Sequence, residues 1–432
     1  MSVDDQVPLV IRGGTVIDPG GERRVDVVVA DGRVVEVGDN VSVPSRARAL
    51  DAGGCVVAPG LVDLHTHLRE PGREEAETVE SGARAAALGG YTAIVAMPNT
   101  EPAIDDASVV RHVLNLGASS CCDVRVAGAI TVGRAGRQLA PLAEMAALGV
   151  RLFTDDGTGV ADPRVMRRAL EYASALDVIL AQHCEDAALA AGGLMNEGPL
   201  SSHLGLAGQP AAAEEVMVDR DLALCALTGA RMHFLHLSTA GSVARLRHAK
   251  ADGLAVTAEA APHHFTLTDE AVSSYDPVFK VNPPLRRVAD VAAVKAGLAD
   301  GTLDAVATDH APHPQEAKEA SFEDAPPGMI GLDAALSLSL TELGLSVPAV
   351  LALLSWQPAV IAGIDDRHGR PVLAGEPANL CVFDPAERWT LDPARSGSRS
   401  RNSPYAGRIM TGRVRHTVHD GEAVVQDGEA MR

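Results

Sequence analysis

Aromatic residues make up only 3% of this 432-residue chain, and cysteines number six. So few planar side chains argue against a surface that stacks nucleobases. The cysteines (Cys55, Cys121, Cys122, Cys184, Cys225 and Cys381) show no CxxC spacing and are too few to staple a chain this long, so a reduced, cytoplasmic protein is expected. No window reaches 18 uninterrupted apolar residues, which excludes a membrane-spanning helix. The opening "MSVDDQVPLV" has neither a basic stretch nor a long apolar one, so no secretory signal is expected. Positive charge is also short: 37 Lys and Arg oppose 57 Asp and Glu, a net charge of −20. Such a field repels nucleic-acid phosphates, and an acidic ligand needs dedicated cations in its pocket. Arginine far outnumbers lysine, and the first lysine is Lys250.

What is present points to a large, regular core. The chain is 46% hydrophobic. From residue 56 onward, eight short apolar runs recur: "GLVDLHTH", "YTAIVAMPN", "VRVAGAIT", "GVRLFTDD", "DVILAQHC", "ARMHFLHL", "LAVTAEAAPHH" and "LDAVATDH". Between most of them lie alanine-rich segments of helical period, such as "DPRVMRRALEYASALD" and "PAAAEEVMVDRDLALCALTG". Many of these end at a glycine, as helix C-termini do. The runs are apolar on both faces, like buried parallel strands. Eight strand–helix units in roughly 300 residues predict an α/β fold, a (β/α)8 barrel over 56–365. The flanks, "LVIRGGTVIDPGGERRVDVVVADGRVVEVGD" and "RIMTGRVRHTVHDGEAVVQDG", read as short strands with tight turns. They predict a small β-sandwich domain formed by 1–55 and 366–432, with the barrel inserted between its halves. The stretch 395–407, "RSGSRSRNSPYAG", is the most loop-like.

The apolar stretch Cys55–Val62, itself like one buried strand, runs into "VDLHTHLREPG". Strand side chains alternate, so His65 and His67 share a face, about 6–7 Å apart along the backbone. In barrels of this type chemistry collects at the C-terminal strand ends. The runs end in His65 and His67, Asn99, Asp155 and Asp156, His183, His236, and Asp309 followed by His310 and His313. Any one of these alone is as well read as a satisfied polar group. Together on one rim, four histidines and the carboxylates form a nitrogen and oxygen donor set suited to Zn²⁺, with Co²⁺ or Mn²⁺ as substitutes. His112, His203, His233, His248, His368, His416 and His419 are assigned to helices, loops or the β-domain. His263 and His264 after the seventh run are supporting candidates rather than ligands.

With these residues placed, "DLHTHLREPG", "MPNT", "TDDG", "HCED", "HLST", "NPPLR" and "TDHAPH" resemble the dihydroorotase family, in its long bacterial type within the amidohydrolase superfamily. The resemblance covers nearly the whole chain. It implies that His65 and His67 hold one metal ion and His183 and His236 a second, the expected occupants being two Zn²⁺ per chain. It implies that Asp309 is both a ligand and the catalytic proton shuttle. Arg69, Asn99 and His313 match substrate-carboxylate contacts, with His67 close by. Asn282 matches a further contact, and Pro327 with Gly328 a place where backbone groups meet the substrate ring. The implied reaction is reversible cyclisation of N-carbamoyl-L-aspartate to L-dihydroorotate in de novo pyrimidine (UMP) biosynthesis. Glu70 reads as a solvated or supporting charge.

One departure stands out. Many relatives bridge their metals with a carboxylated lysine in the fourth run, and this chain has no lysine there. Asp155 and Asp156 compete for the bridge, and the spacing to His183 in the aspartate-bridged type favours Asp156. Competing readings are a hydantoinase, dihydropyrimidinase or allantoinase, and a non-catalytic partner of aspartate transcarbamoylase. The resemblance leaves open a homodimer and association with aspartate transcarbamoylase. The polar stretch 312–327, "PHPQEAKEASFEDAPP", is expected to be a mobile lid.

Overall fold

The computed structural model describes residues 7–431; Met1–Gln6 and Arg432, at the ends of the expected β-domain and signal reading, lie outside the described residues. Each of the eight apolar runs contains a strand: β1 (Leu61–Thr66), β2 (Tyr91–Ala96), β3 (Asp123–Val126), β4 (Leu152–Phe153), β5 (Ile179–Gln182), β6 (Met232–Phe234), β7 (Val256–Ala260) and β8 (Ala305–Val306). All eight pair in parallel with their chain neighbours, β1 to β3 in one sheet and β4 to β8 in another. Single parallel bridges join Gly128 to Phe153 and Thr66 to His310, so the pairing passes from β3 to β4 and returns to β1. Buried Asp63 of β1 reinforces the return, accepting from the backbone N–H and hydroxyl of Thr308, each at 2.7 Å.

Helices lie between the strands where the periodicity places them. Pro163–Leu176 starts on Asp162, whose carboxylate accepts from the N–H groups of Arg164 and Val165. Ala212–Thr228 stops at Gly229, whose φ of 68° suits a residue without a side chain. The chain ends build two further sheets. One runs Arg33–Gly38, Asp26–Ala30, Leu9–Arg12, Arg48–Asp51; the other has seven strands and includes Val56–Pro59, Leu380–Thr390 and Ile409–His419. Leu9, Ile11, Val27, Val57, Leu380 and Val418 share one apolar cluster between these sheets.

The apolar run Cys55–Val62 is two strands rather than one. Val56–Pro59 pairs antiparallel with Leu380–Thr390, whereas Leu61 begins β1. Gly60 makes the break: a Cβ there would lie 2.1 Å from Thr92 Oγ1. The stretch 395–407 is irregular but not loosely attached. Ser400 Oγ donates to Ala76 O at 2.7 Å, and Asn402 Nδ2 donates to the carbonyls of Ala311 and Gly328.

Candidate metal centre

The strand ends bring the expected ligands together. His65, at the end of β1, and His67 just beyond it have ring centroids 5.2 Å apart. His65 Nε2 lies 3.4 Å, and His67 Nε2 3.6 Å, from Asp156 Oδ2. Asp309 Oδ1 lies 3.5 Å from His65 Nε2 and 3.2 Å from His67 Nε2. The other Asp156 oxygen, Oδ1, faces His183 Nδ1 and His236 Nε2, at 3.5 Å each, and those two nitrogens are 2.9 Å apart. Two donor groups result, His65–His67–Asp156 and Asp156–His183–His236, and Asp156 belongs to both. Asp155 points elsewhere: it accepts from the backbone N–H of Thr131 at 3.0 Å and from its hydroxyl. Arg134 steadies the turn by donating to the Asp156 carbonyl at 2.6 Å.

These residues fit a metal on their own chemistry. His65 Nε2, Asp156 Oδ1 and His236 Nδ1 are buried without a hydrogen-bond partner. Leaving such atoms unpaired is costly unless something else satisfies them. Most donor separations are 3.2–3.6 Å, close to the ~3.3 Å edge of a tetrahedral shell with ~2.0–2.1 Å arms. Electrostatics agree. Burial opposes charge on His65, yet Asp156 and Glu259 hold its pKa well above the ordinary imidazole value. Burial likewise opposes the Asp156 charge, but His65, His183 and His236 hold its carboxyl well below the carboxylate range.

Three site residues sit in backbone conformations that side chains rarely adopt: Arg69, His236 and Asp309 have φ of 60°, 33° and 46°. Such strain concentrates at functional positions, held there by the surrounding packing.

The remaining expected residues are placed as follows. Asn99 Oδ1 accepts from His67 Nδ1 at 2.8 Å, so its carbonyl orients a ligand. Arg69 is buried; its Nε donates to Pro312 O at 3.2 Å, and no carboxylate lies within ion-pair distance of it among the described residues. Burial first, then Arg73, brings its pKa down to about 10. His313 Nε2 donates to the Pro327 carbonyl at 2.9 Å. Asn282 Nδ2 donates to Glu185 Oε2 at 2.8 Å, leaving Asn282 Oδ1 unpartnered. Gly328 is bonded at both ends, N–H to Lys280 O and carbonyl to Asn402 Nδ2, and its φ of 143° suits only glycine. In this state the backbone groups of Pro327 and Gly328 are thus engaged within the protein. Glu70 is spent on capping: its carboxylate accepts from Val79 N–H at 2.8 Å.

Two important residues escape the sequence reading. Glu259 of β7 accepts from His65 Nδ1 through Oε1 and from His233 Nε2 through Oε2, at 3.0 Å each. His233 lies in strand β6 beside the site, not in a helix, a loop or the β-domain, and supplies the buried Glu259 with a second donor. The available signal was a glutamate inside the apolar run "VTAEAA".

A family model described as dihydro-orotase-like matches residues 54–242. The dihydroorotase of Streptomyces coelicolor is 53% identical over 427 residues, covering 97% of this chain and 98% of that protein. The chain belongs to the dihydroorotase family. Dihydroorotases of Pelotomaculum thermopropionicum and Mycobacterium tuberculosis are 48% and 47% identical, with 97% and 98% of this chain covered and 99% of each relative. An L-hydantoinase (dihydropyrimidinase) from Arthrobacter aurescens shares the fold, with a TM-score of 0.87 at 24% identity, over 99% of this chain and 98% of that one. The family-model match includes β1 through β6 and all five donors of the two clusters, His65, His67, Asp156, His183 and His236.

Proposed function

We propose that the chain is a zinc-dependent dihydroorotase, working at the rim of a (β/α)8 barrel and converting N-carbamoyl-L-aspartate to L-dihydroorotate and back. The supporting observation is a buried, unpaired guanidinium, Arg69, in the electrostatic neighbourhood of a two-part donor cluster that shares Asp156. A guanidinium buried without a carboxylate is costly, and an anionic substrate relieves that cost. His65, His67 and Asp309 would hold one ion, His183 and His236 the other, with Asp156 shared. Two such ions, when bound, polarise an amide carbonyl and lower the pKa of an attacking water. In the hydrolytic direction Asp309 takes the proton of that water and delivers it to the ring nitrogen as the C–N bond breaks. Held well below the carboxylate range by His67 and the imidazoles of His65 and His236 despite its burial, Asp309 starts this cycle ionised. Arg69 pairs the substrate carboxylate, and Asn282 Oδ1 is free to accept from a ring N–H.

The same reading makes residues 1–55 and 366–432 a small β-sandwich domain, supported by the apolar cluster drawn from both chain ends. It places the enzyme in the cytoplasm; no helix among the described residues is long and apolar enough to cross a membrane. The test is a spectrophotometric assay with dihydroorotate and carbamoyl-aspartate beside hydantoin, dihydrouracil and allantoin, with metal content measured on the same sample. Preference for hydantoin or allantoin overturns the substrate assignment. Full activity in metal-free protein overturns the mechanism.

A further inference from the structure

The chain has four lysines: Lys250, Lys280, Lys295 and Lys318. Lys250 pairs with Asp304 and Lys295 with Glu342. Among the described residues, the other two bond through Nζ to backbone carbonyls alone. Lys280, buried, donates through Nζ to Phe322 O and Glu323 O at 2.8 Å each, with the Phe322 ring 5.6 Å away. Lys318 donates to Pro326 O at 2.9 Å and to Lys280 O at 3.4 Å. The Lys280 carbonyl also accepts from Gly328 N–H at 2.9 Å. Two segments distant in sequence are thereby cinched together. Immediately along them come Asn282, Pro327 and Gly328. Lys280, Asn282 and Pro327, with Glu185, line a cavity of about 220 Å³. Asp276, Glu323 and Asp324 influence the two ammonium groups without pairing with them. Burial, then Lys280, pushes Lys318 down to about 7, against the opposing pull of Asp276.

We propose that Lys280 and Lys318 are positioning residues for an anionic substrate. They strap residues 318–328 to residues 280–282, fixing Asn282 and Pro327 at the cavity with Gly328 next along the chain, and their charge adds to that of Arg69 in attracting a dianion. The inference rests on the carbamoyl-aspartate reading of the cavity. An ammonium suits this role and a guanidinium does not: three donors on one small centre meet carbonyls that converge on a point, whereas a planar fork spreads its donors. A chain in which arginine far outnumbers lysine keeps lysine at both positions.

The experiment uses the metal-loaded full chain, wild type beside Lys280→Met, Lys318→Met, Lys318→Arg and, as control, Lys295→Met. Wild type that turns over neither carbamoyl-aspartate nor dihydroorotate removes the functional reading, and the strap with it. With active wild type, each Met variant should raise KM for carbamoyl-aspartate about tenfold, the scale of a charge-assisted contact, with kcat changed less than about threefold. Because the overall equilibrium is fixed, kcat/KM must fall by the same factor in both directions. Lys318→Arg should recover only part of the loss, and Lys295→Met should keep the wild-type KM. A lowered Tm with unchanged KM in both Met variants means a structural role only and overturns the proposal. If the Met variants do not fold, hydrogen exchange on wild type decides: amides of 320–328 must slow on adding carbamoyl-aspartate, and unchanged exchange overturns it.

Discussion

Two neighbouring regions, joined through Glu185, which lies 3.8 Å from His183 Nε2 and accepts from Asn282, carry opposite deficits. On the histidine side, Asp156, Asp309 and Glu259 crowd carboxylates around His65, His67, His183, His233 and His236, with buried donor atoms left unpartnered. On the strap side, Arg69, Lys280 and Lys318 are cations with no carboxylate in ion-pair reach among the described residues. Burying either kind of charge unpaired is expensive, and a fold selected for stability alone would have paired one with the other. Keeping them apart reserves one side for metal cations and the other for an organic anion. It also explains how a chain of net charge −20 can take an acidic substrate: the cations are few, but they are not cancelled.

The sharpest way to break this contrast is to remove the group both metal positions share. Asp156→Ala should bring bound metal toward one ion per chain by elemental analysis and abolish most activity. Asp155→Ala should keep its metal, because that carboxylate is already spent on Thr131. Asp309→Asn keeps the shape and loses the base, and should cost about 10²–10⁴-fold in kcat. Equal metal loss in the Asp155 and Asp156 variants would show that the shared-oxygen geometry is not what holds the ions. Chelation should likewise abolish activity and lower Tm, since a ligand bound only by the folded state stabilises it, by about 2.7 kcal/mol at a hundred times Kd.

On the other side, Arg69→Ala should fold, keep its metal, and lose about 1.5–3 kcal/mol of transition-state binding, read as kcat/KM. Unchanged kcat/KM would mean that the buried guanidinium does not meet the substrate. A smaller effect tests the support beneath the metals. Glu259→Gln weakens the acceptor that orients His65, and should lower metal affinity by about tenfold, the low end for groups that orient a ligand. Unaltered affinity in a competition titration would reduce Glu259 to a partner of His233.

The eight strands, the long helices and the donor set were legible because each leaves a local mark: a β-branched run, a capped periodic segment, a polar residue at a run's end. Asp156 over Asp155 followed from spacing in the resembling family, and the structure orients the two carboxylates oppositely. What local marks do not reveal is who answers whom. Glu259 looks like a stray charge until β6 and β7 are adjacent. Asn99 reads as a substrate group, yet its carbonyl is committed to His67. The stretch 312–327 reads as a mobile lid from its polarity. The structure gives it a helical turn, Gln315–Lys318, and buried anchors at Phe322 and Ala325. Its binding to residues 280–282 runs through backbone carbonyls, which no side-chain pattern encodes.

The smallest predicted effect tests whether the strap-side charge is truly uncompensated. An ordinary lysine titrates near 10.5; Lys318 is pushed down to about 7, by burial first and Lys280 second. Between those two values the unfolded chain binds a proton that the folded chain lacks, so this residue's contribution to stability rises with pH across that window. Below about 7 both states are protonated and the full cost is present; above 10.5 neither is, and the cost vanishes. Wild type compared with Lys318→Met should therefore gain in relative Tm from pH 7 to pH 10. Taking the difference between the two proteins cancels the groups they share. A difference that stays flat over that range would mean that Lys318 keeps its proton in the folded chain. Water or carboxylates would then be supplying the compensation that the structure withholds, and the contrast between the two regions would rest on Arg69 and Lys280.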